Sequence, residues 1–187
     1  MSARPPQPGP PIDPATIIEP SFRKRSPIPP AARPPWWHPS SLLATWFTAG
    51  LFPLAPGTVG SLAALPPALV LIYLGGKLAL VLGLIAVMGL GIWAGERYMR
   101  AARQHDPGEV VIDEVAGMWL ILLVVEPLRS QWLLAFALFR LFDVTKPWPV
   151  RAIDRRMGGA VGVMLDDLLA AAYAIATLFL IKAGGWL

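Results

Sequence analysis

The chain has 187 residues, of which 55% are hydrophobic and 15% are charged, and it contains no cysteine. Its mean hydropathy is +0.55, and its charged fraction is below the roughly 25% that is typical of soluble domains, which indicates a membrane protein with one compact domain. The lack of cysteine excludes disulfides, thiolate metal ligands and a cysteine nucleophile. The net charge of +4 comes mainly from the first forty residues, so no folded basic face for nucleic acid is expected.

Residues 1–40 form a proline-rich segment. They contain 13 of the 21 prolines and no apolar periodicity, and we interpret them as a disordered cytosolic tail ahead of one membrane-embedded catalytic domain at residues 41–187. They lack the uninterrupted apolar core of a signal peptide, so cleavage is not expected. Trp36 and Trp37 are either anchors at the membrane interface or aromatic residues that pack on the domain.

Five apolar runs follow, at residues 61–75, 78–95, 115–125, 131–142 and 168–181. The first two are near the length that spans a bilayer, although Pro66 and Pro67 should break or kink the first. The third and fourth are shorter, and a re-entrant hairpin is the alternative to two crossings. No strand alternation is visible, which predicts an all-α integral membrane bundle of about four to six helices. Cationic residues place the loops after the second and fourth runs in the cytoplasm: Arg97, Arg100, Arg103, Lys146, Arg151, Arg155 and Arg156.

Four carboxylates occur just before the third run, at Asp106, Glu109, Asp113 and Glu114. On one continuous helix the first three would share a face. Asp106 and Glu109 equally match an N-cap and a capping-box acid around Pro107. Asp113 and Glu114 would then lie more than a turn inside the helix, where a carboxylate is costly, so we favour a functional role over a structural ion pair.

Two further segments carry charge on apolar helices. Arg140 and Asp143 are three residues apart at the end of the fourth run, and Lys146 precedes the proline that stops it. The structural alternative there is a helix-end salt bridge with snorkelling cations. Asp166 and Asp167 interrupt a run of small and apolar residues, where adjacent acids have few structural uses. Only one of two adjacent helical residues can point squarely at a given site.

A glycine-rich turn precedes the first run, with Gly57, Thr58, Gly60 and Ser61. Small residues at a helix start either cap the helix or bind an anion. Combined with the acids, which suit Mg²⁺, and the cations, which suit phosphate, the turn indicates one site for phosphoryl transfer or phosphate-ester hydrolysis.

Four segments, in order, resemble the motifs of the phosphatidylglycerophosphatase A family. They are "PLAPGTVGS" (53–61), "DPGEVVIDEVAG" (106–117), "FRLFDVTKPWP" (139–149) and "GAVGVMLDD" (159–167). The resemblance covers about residues 45–180. It implies a Mg²⁺-dependent, all-helical enzyme of the bacterial inner membrane that converts phosphatidylglycerophosphate to phosphatidylglycerol. The cationic loops predict that its active site faces the cytoplasm. The proline-rich tail lies outside the family pattern, and "TAG" before Leu51 stands where the family has a second glycine.

The resemblance leads to a hypothesis about residue roles. The metal ligands would be Asp113, Glu114, Asp166 and Asp167, with Asp106 and Glu109 nearby. Asp143 is the candidate general base and, with Asp113 and Asp167, completes the proposed catalytic set. The substrate contacts would be Arg140, Lys146, Gly57, Thr58 and Ser61. A covalent aspartyl-phosphate is the alternative to direct attack by water.

Two functions from other classes stay open. A cation or proton transporter would also bury acids, but near the middle of the bilayer. A non-catalytic membrane scaffold would account for the apolar runs but not for Asp166 and Asp167. A histidine-based phosphatase fits poorly, because His38 and His105 lack neighbouring cationic motifs. The sequence does not predict the oligomeric state.

Overall fold

The computed structural model describes residues 33–125, 131–148 and 157–185. Within these ranges the chain forms helices and turns but no strand, so the all-α prediction is confirmed. The helices are α1 (Pro39–Ala44), α2 (Pro56–Ala63), α3 (Leu65–Ala102), α4 (Ile112–Val124), α5 (Gln131–Thr145) and α6 (Gly159–Ala183), with a 3-10 turn at Ala49–Leu51. Most of the predicted tail, the turn at 126–130 and the predicted cytoplasmic arginines at 151, 155 and 156 lie outside the described residues.

Two helical stretches are long and apolar enough to cross a membrane: residues Pro56–Ala102, which comprise α2 and α3, and α6. Only 17% and 39% of their most apolar windows are buried within the chain, so most of these side chains face outward, as lipid-facing side chains do. By contrast, α4 has 13 residues and α5 has 15, fewer than the roughly 20 of a full crossing. Their length favours the re-entrant alternative, and the chain is an all-α membrane bundle.

The long α3 helix is interrupted where the sequence predicts a boundary. Pro66 and Pro67 lie in its first turn, directly after α2 ends, where proline needs no helical N–H. Gly75 and Gly76 have non-helical backbone, and Gly76 has a φ of +64°. The break therefore coincides with the gap between the first two apolar runs.

The shorter α4 helix is the centre of the bundle. Nearly all of its residues are buried, and it packs against α2, α3, α5 and α6. A side chain at Gly117 would collide with Phe139 of α5, and Trp119 donates a hydrogen bond of 2.8 Å to the carbonyl of Ala64 between α2 and α3. This close packing fixes the helix that carries two of the predicted site acids.

The prediction that this helix begins at Asp106 is wrong. It begins at Ile112, and residues 104–111 are not helical. Pro107 and Gly108 favour a turn, in which Val110 N donates to the Pro107 carbonyl at 3.0 Å, and the β-branched residues that follow disfavour helix initiation. Asp113 and Glu114 consequently lie in the first turn of α4, where the helix dipole favours negative charge.

The chain between α1 and α2 forms a series of tight turns. Trp46, Phe47 and Thr48 have φ values of +46°, +53° and +76°, which non-glycine residues seldom adopt. The Val111 amide donates a hydrogen bond of 2.9 Å to the carbonyl of Ala44. The amino-terminal part of the domain therefore contacts the residues that precede α4.

Candidate active site

Five buried carboxylates converge from α4, α5 and α6. They form two groups, Asp113 with Glu114 and Asp167, and Asp143 with Asp166 and Asp167. Within each group, one oxygen of every carboxylate lies within 4.8 Å of the others. Because Asp167 belongs to both groups, the two are adjacent and form one acidic cluster.

Each acid of this cluster is placed by its position along a helix. Asp113 and Glu114 lie in the first turn of α4, Asp143 lies in the last turn of α5, and Asp166 and Asp167 lie in the first half of α6. The geometry also shows how two adjacent helical acids share one region: Asp167 joins both groups, whereas Asp166 joins only the second.

Two cations contact the acidic cluster. Arg140 Nη1 lies 2.7 Å from Asp143 Oδ2 and 3.7 Å from Glu114 Oε1, and the Lys146 ammonium group forms an ion pair with Asp166. The helix-end salt bridge is thus present, but the same guanidinium also reaches across to α4. A guanidinium has five N–H donors, so Arg140 can hold carboxylates on one edge and a phosphate on another.

The start of α2 borders the cluster at Gly57. A Cβ atom added there would lie 2.3 Å from Glu114 Oε1 and 2.9 Å from Arg140 Nη2, so glycine leaves space that any side chain would fill. The first N–H groups of a helix have no partner within the helix and carry partial positive charge. Thr58 follows, half-buried. Ser61 donates a hydrogen bond of 2.7 Å to the Gly57 carbonyl, so its hydroxyl proton is used within α2.

Asp106 and Glu109 lie outside both acidic groups. Asp106 is half-buried in the loop after α3. Glu109 is buried, accepts a hydrogen bond from the Tyr98 hydroxyl and forms an ion pair with Arg33. The structure therefore brings together five of the seven acids that the sequence singled out. It also shows that Arg33 and Tyr98 contact Glu109, which the sequence does not predict.

The beginning of α6 is held by side chains from elsewhere in the chain. Gly158, at its N-cap, has no side chain to offer. Instead, Glu96 Oε2 accepts from the Ala160 amide at 3.3 Å, and His105 Nε2 accepts from the Gly159 amide at 3.2 Å. His105 thus has a structural contact, and these bonds fix the helix that carries Asp166 and Asp167.

The acidic cluster fits a divalent metal ion. Carboxylate oxygens are the ligands that Mg²⁺ prefers. Carboxylates whose oxygens lie this close, in a buried setting, repel one another unless positive charge accompanies them. The donor set and its spacing therefore suit one or two Mg²⁺ ions.

An apolar cavity of about 560 Å³ lies against another face of α2. Trp46, Phe47 and Phe52 line it, together with Val59 and Ala63 of α2. The buried residues of α2 are Gly57, Gly60 and Ser61, so this helix separates the cavity from the acidic cluster. No acidic residue lines the cavity, so it suits an apolar group and not the hydrolysis of a phosphate ester.

Comparison with known proteins gives a consistent result. The sequence model of the family described as Phosphatidylglycerophosphatase A matches residues 42–182, a range that includes the entire acidic cluster. No solved structure is significantly similar to the chain.

Three curated relatives cover most of the chain. Phosphatidylglycerophosphatase A of Escherichia coli K12 is 37% identical over 148 residues, covering 78% of this chain and 83% of the relative. The protein of the same name from Haemophilus influenzae is 40% identical over 147 residues, covering 78% and 90%. A protein from Bacteroides thetaiotaomicron named putative phosphatidylinositol-3-phosphatase is 40% identical over 153 residues, covering 78% and 92%.

Proposed function

The chain belongs to the phosphatidylglycerophosphatase A family, a family of phosphatases, and from this membership we propose that it hydrolyses the terminal phosphate monoester of phosphatidylglycerophosphate. The products would be phosphatidylglycerol and inorganic phosphate. The observation that carries this proposal is the buried acidic cluster bordered by Arg140 and the start of α2. Phosphate-ester hydrolysis needs carboxylates that hold a metal ion and N–H groups that donate hydrogen bonds to the phosphate, because both must act on the same substrate.

Mg²⁺ is the proposed cofactor. Asp113, Glu114 and Asp167 would hold one ion, and Asp166 and Asp167 would hold a second beside Asp143. Bound Mg²⁺ supplies positive charge that stabilises the phosphoryl group in the transition state and promotes attack by water. Asp106 and Glu109 take no part as ligands in this arrangement, since neither joins an acidic group.

The remaining roles follow from position. Arg140 would donate N–H groups to the phosphate oxygens, and the first amides of α2, at Gly57 and Thr58, would bind the phosphate from the other side. Lys146 adds positive charge beside Asp166. Asp143 is held through Oδ2 by Arg140, so Oδ1 is the proposed acceptor of the proton from the attacking water.

We place the site at the cytoplasmic face of the bacterial inner membrane. The acids lie at the start of α4, the end of α5 and the first half of α6, which supports an enzyme acting on headgroups over a transporter with acids at mid-bilayer. Arg97, Arg100 and Arg103 lie around the end of α3, just before the loop that leads to α4. By the positive-inside rule they favour the cytoplasmic side for this end of the bundle.

One relative favours a second candidate substrate. The protein from Bacteroides thetaiotaomicron is named for phosphatidylinositol 3-phosphate, which is also a phosphate monoester on a lipid headgroup. A site that binds phosphate through metal, arginine and helix amides would accept the phosphate of either lipid. The fit of the rest of the headgroup would then determine which lipid is hydrolysed.

The proposal is tested by measuring phosphate release from both lipids in detergent micelles, with Mg²⁺ and then with a chelator. Because Asp167 contributes to both acidic groups, Asp167→Asn should lower release by about 100-fold or more. Glu96→Gln is the matched control, since it is also an acid-to-amide change, lies outside both groups and keeps an acceptor for Ala160. Absence of release from either lipid by folded parent protein would overturn the proposal and direct attention to ion-flux assays.

A further inference from the structure

Glu109 belongs to a polar cluster that is separate from the acidic groups and consists of two buried side chains, Glu109 and Tyr98, and the exposed side chain of Arg33. Its Oε2 accepts a hydrogen bond of 2.5 Å from the Tyr98 hydroxyl, and its Oε1 lies 2.6 Å from Nε of Arg33. Tyr98 is 1% exposed and Glu109 is 6% exposed. A buried carboxylate is stable only with partners of this kind, so the three side chains hold one another in place.

The three residues come from different parts of the chain that meet near the amino-terminal end of α4. Arg33 precedes α1, Tyr98 lies near the end of α3, and Glu109 lies in the loop between α3 and α4. Two glycines also approach the loop closely, because a Cβ at Gly50 would overlap the Glu109 carbonyl oxygen and a Cβ at Gly60 would overlap the Val111 side chain. The loop is therefore packed against these glycines as well as paired with Arg33 and Tyr98.

This loop leads directly into the acidic cluster. Val111 is the N-cap of α4 and makes no capping bond with its side chain, so the contacts of the loop, and not a cap, set the direction in which α4 begins. Asp113 and Glu114 follow in its first turn. Mg²⁺ demands near-ideal ligand geometry, so a small shift of the loop would change how these two acids meet Asp167.

We propose that Arg33, Tyr98 and Glu109 form a clamp that positions Asp113 and Glu114 for metal binding. They are positioning residues and not ligands. Arg33 lies in the proline-rich segment at residues 1–40, ahead of the region that matches the family, which begins at residue 42. A residue outside the family match therefore helps to position the site acids. The metal-binding part of this inference rests on the proposed function, whereas the clamping of the loop does not.

Binding of Mn²⁺ as a probe, followed by electron paramagnetic resonance on the full chain in micelles, tests the clamp. Arg33→Ala and Glu109→Gln should each weaken Mn²⁺ binding by roughly 10-fold, and the double variant should be no weaker than the weaker single variant. Arg33→Lys keeps the positive charge and should restore much of the affinity. If Glu109 were a ligand instead, Glu109→Gln would weaken binding while Arg33→Ala, which removes a nearby positive charge, would leave it unchanged or tighten it; that pattern overturns the proposal.

Amide hydrogen exchange of residues 104–114 provides a second readout that needs neither metal nor substrate. Exchange there should accelerate in Arg33→Ala and return towards the parent rate in Arg33→Lys, while α6 is unaffected. Arg97→Ala is the control, because Arg97 is exposed and stacks on Trp93 away from the clamp. Unchanged exchange in Arg33→Ala would overturn the clamp even if the parent bound no Mn²⁺. Clamp behaviour without release of phosphate from either lipid would instead leave the clamp standing and remove the proposed function.

Discussion

At the scale of single residues, Gly57 is the point where α2 meets the acidic cluster. A methyl group there would lie 2.3 Å from Glu114 Oε1 and 2.9 Å from Arg140 Nη2, so Gly57→Ala must displace one of these side chains. We expect phosphate release to fall by about 10-fold or more. The helical fold should persist, because alanine is a better helix former than glycine. Phosphate release and circular dichroism of the same preparations measure the two effects.

Gly89→Ala is the matched control for this change. Gly89 lies on α3, and a Cβ there would have nothing within 4 Å beyond its neighbours along the helix, so the same substitution should leave phosphate release unchanged. Full activity in Gly57→Ala would contradict the close approach of α2 to Glu114 and Arg140.

Thr48 stands in the "TAG" stretch that departs from the family pattern. Its φ of +76° is strained for a β-branched residue and is readily adopted by glycine. Because Thr48 is exposed, Thr48→Gly loses little packing and should raise the free energy of unfolding by about 1 kcal/mol, measured by reversible denaturation in micelles. Ala49→Gly, at a neighbour without positive φ, should instead lower it. A loss of stability in Thr48→Gly would refute the presence of strain.

The acids of the cluster were predictable because carboxylates on apolar helices have few structural uses. Asp106 and Glu109 could not be separated from them by sequence, since a capping box, a metal ligand and an ion-pair partner use the same residue types at the same spacing. The partners of Glu109 were also invisible, because Arg33 lies in a proline-rich stretch far away in the chain. Such a contact arises only when the tertiary structure brings the segments together.

At the scale of helices, apolar runs located the interiors of α4, α5 and α6 but not all of their ends. The run at 168–181 lies inside α6, which begins well before it at Gly159, because glycines and two acids hide the helical pattern there. The start of α4 is predicted too early, because Asp106, Pro107 and Glu109 have the residue types and spacing of a helix start although they lie in a turn. Helix ends depend on tertiary partners that the local sequence does not contain.

The start of α6 shows such a dependence and gives a prediction. Gly158 and Gly159 have no side chains, and Glu96 supplies an acceptor for the Ala160 amide. Glu96→Ala removes this acceptor and should lower the free energy of unfolding by about 1 kcal/mol, seen as a lower thermal midpoint. Glu96→Gln keeps an oxygen in place and should cost less. Equal losses in the two variants would show that the negative charge of Glu96, which acts on the α6 amino terminus and on Arg100, rather than the hydrogen bond to Ala160, provides the stability.

At the scale of the whole molecule, charge and apolar surface are segregated. The acidic cluster is buried at one end of the bundle, while the membrane-length helices expose apolar side chains, such as Leu78 and Leu82 of α3 and Leu180 of α6. A phospholipid has the same arrangement, with phosphate at one end and acyl chains along the other. This correspondence supports a lipid substrate whose phosphate would bind at the acidic cluster and whose acyl chains would bind along the apolar surface.

The apolar cavity beside α2 extends this correspondence to a testable prediction. Val59 lines the cavity on the same short helix whose first turn borders the acidic cluster. If an acyl chain of the substrate occupies the cavity, the larger side chain in Val59→Trp takes up part of the space and removes the contacts of about two methylene groups, each worth about 0.8 kcal/mol when buried. KM for a long-chain lipid should therefore rise about 10-fold, with little change for a short-chain analogue.

Leu62→Trp is the control that separates this effect from general damage to α2. Leu62 is exposed on the same helix and does not line the cavity, so KM for both lipids should stay close to that of the parent. An equal rise in KM for long and short chains in Val59→Trp would show that the helix has moved at the phosphate end. No change for either lipid would show that the acyl chains lie elsewhere, along the outward faces of α3 and α6. The chain-length dependence of KM therefore reports where the apolar part of the substrate binds, independently of how fast the phosphate is released.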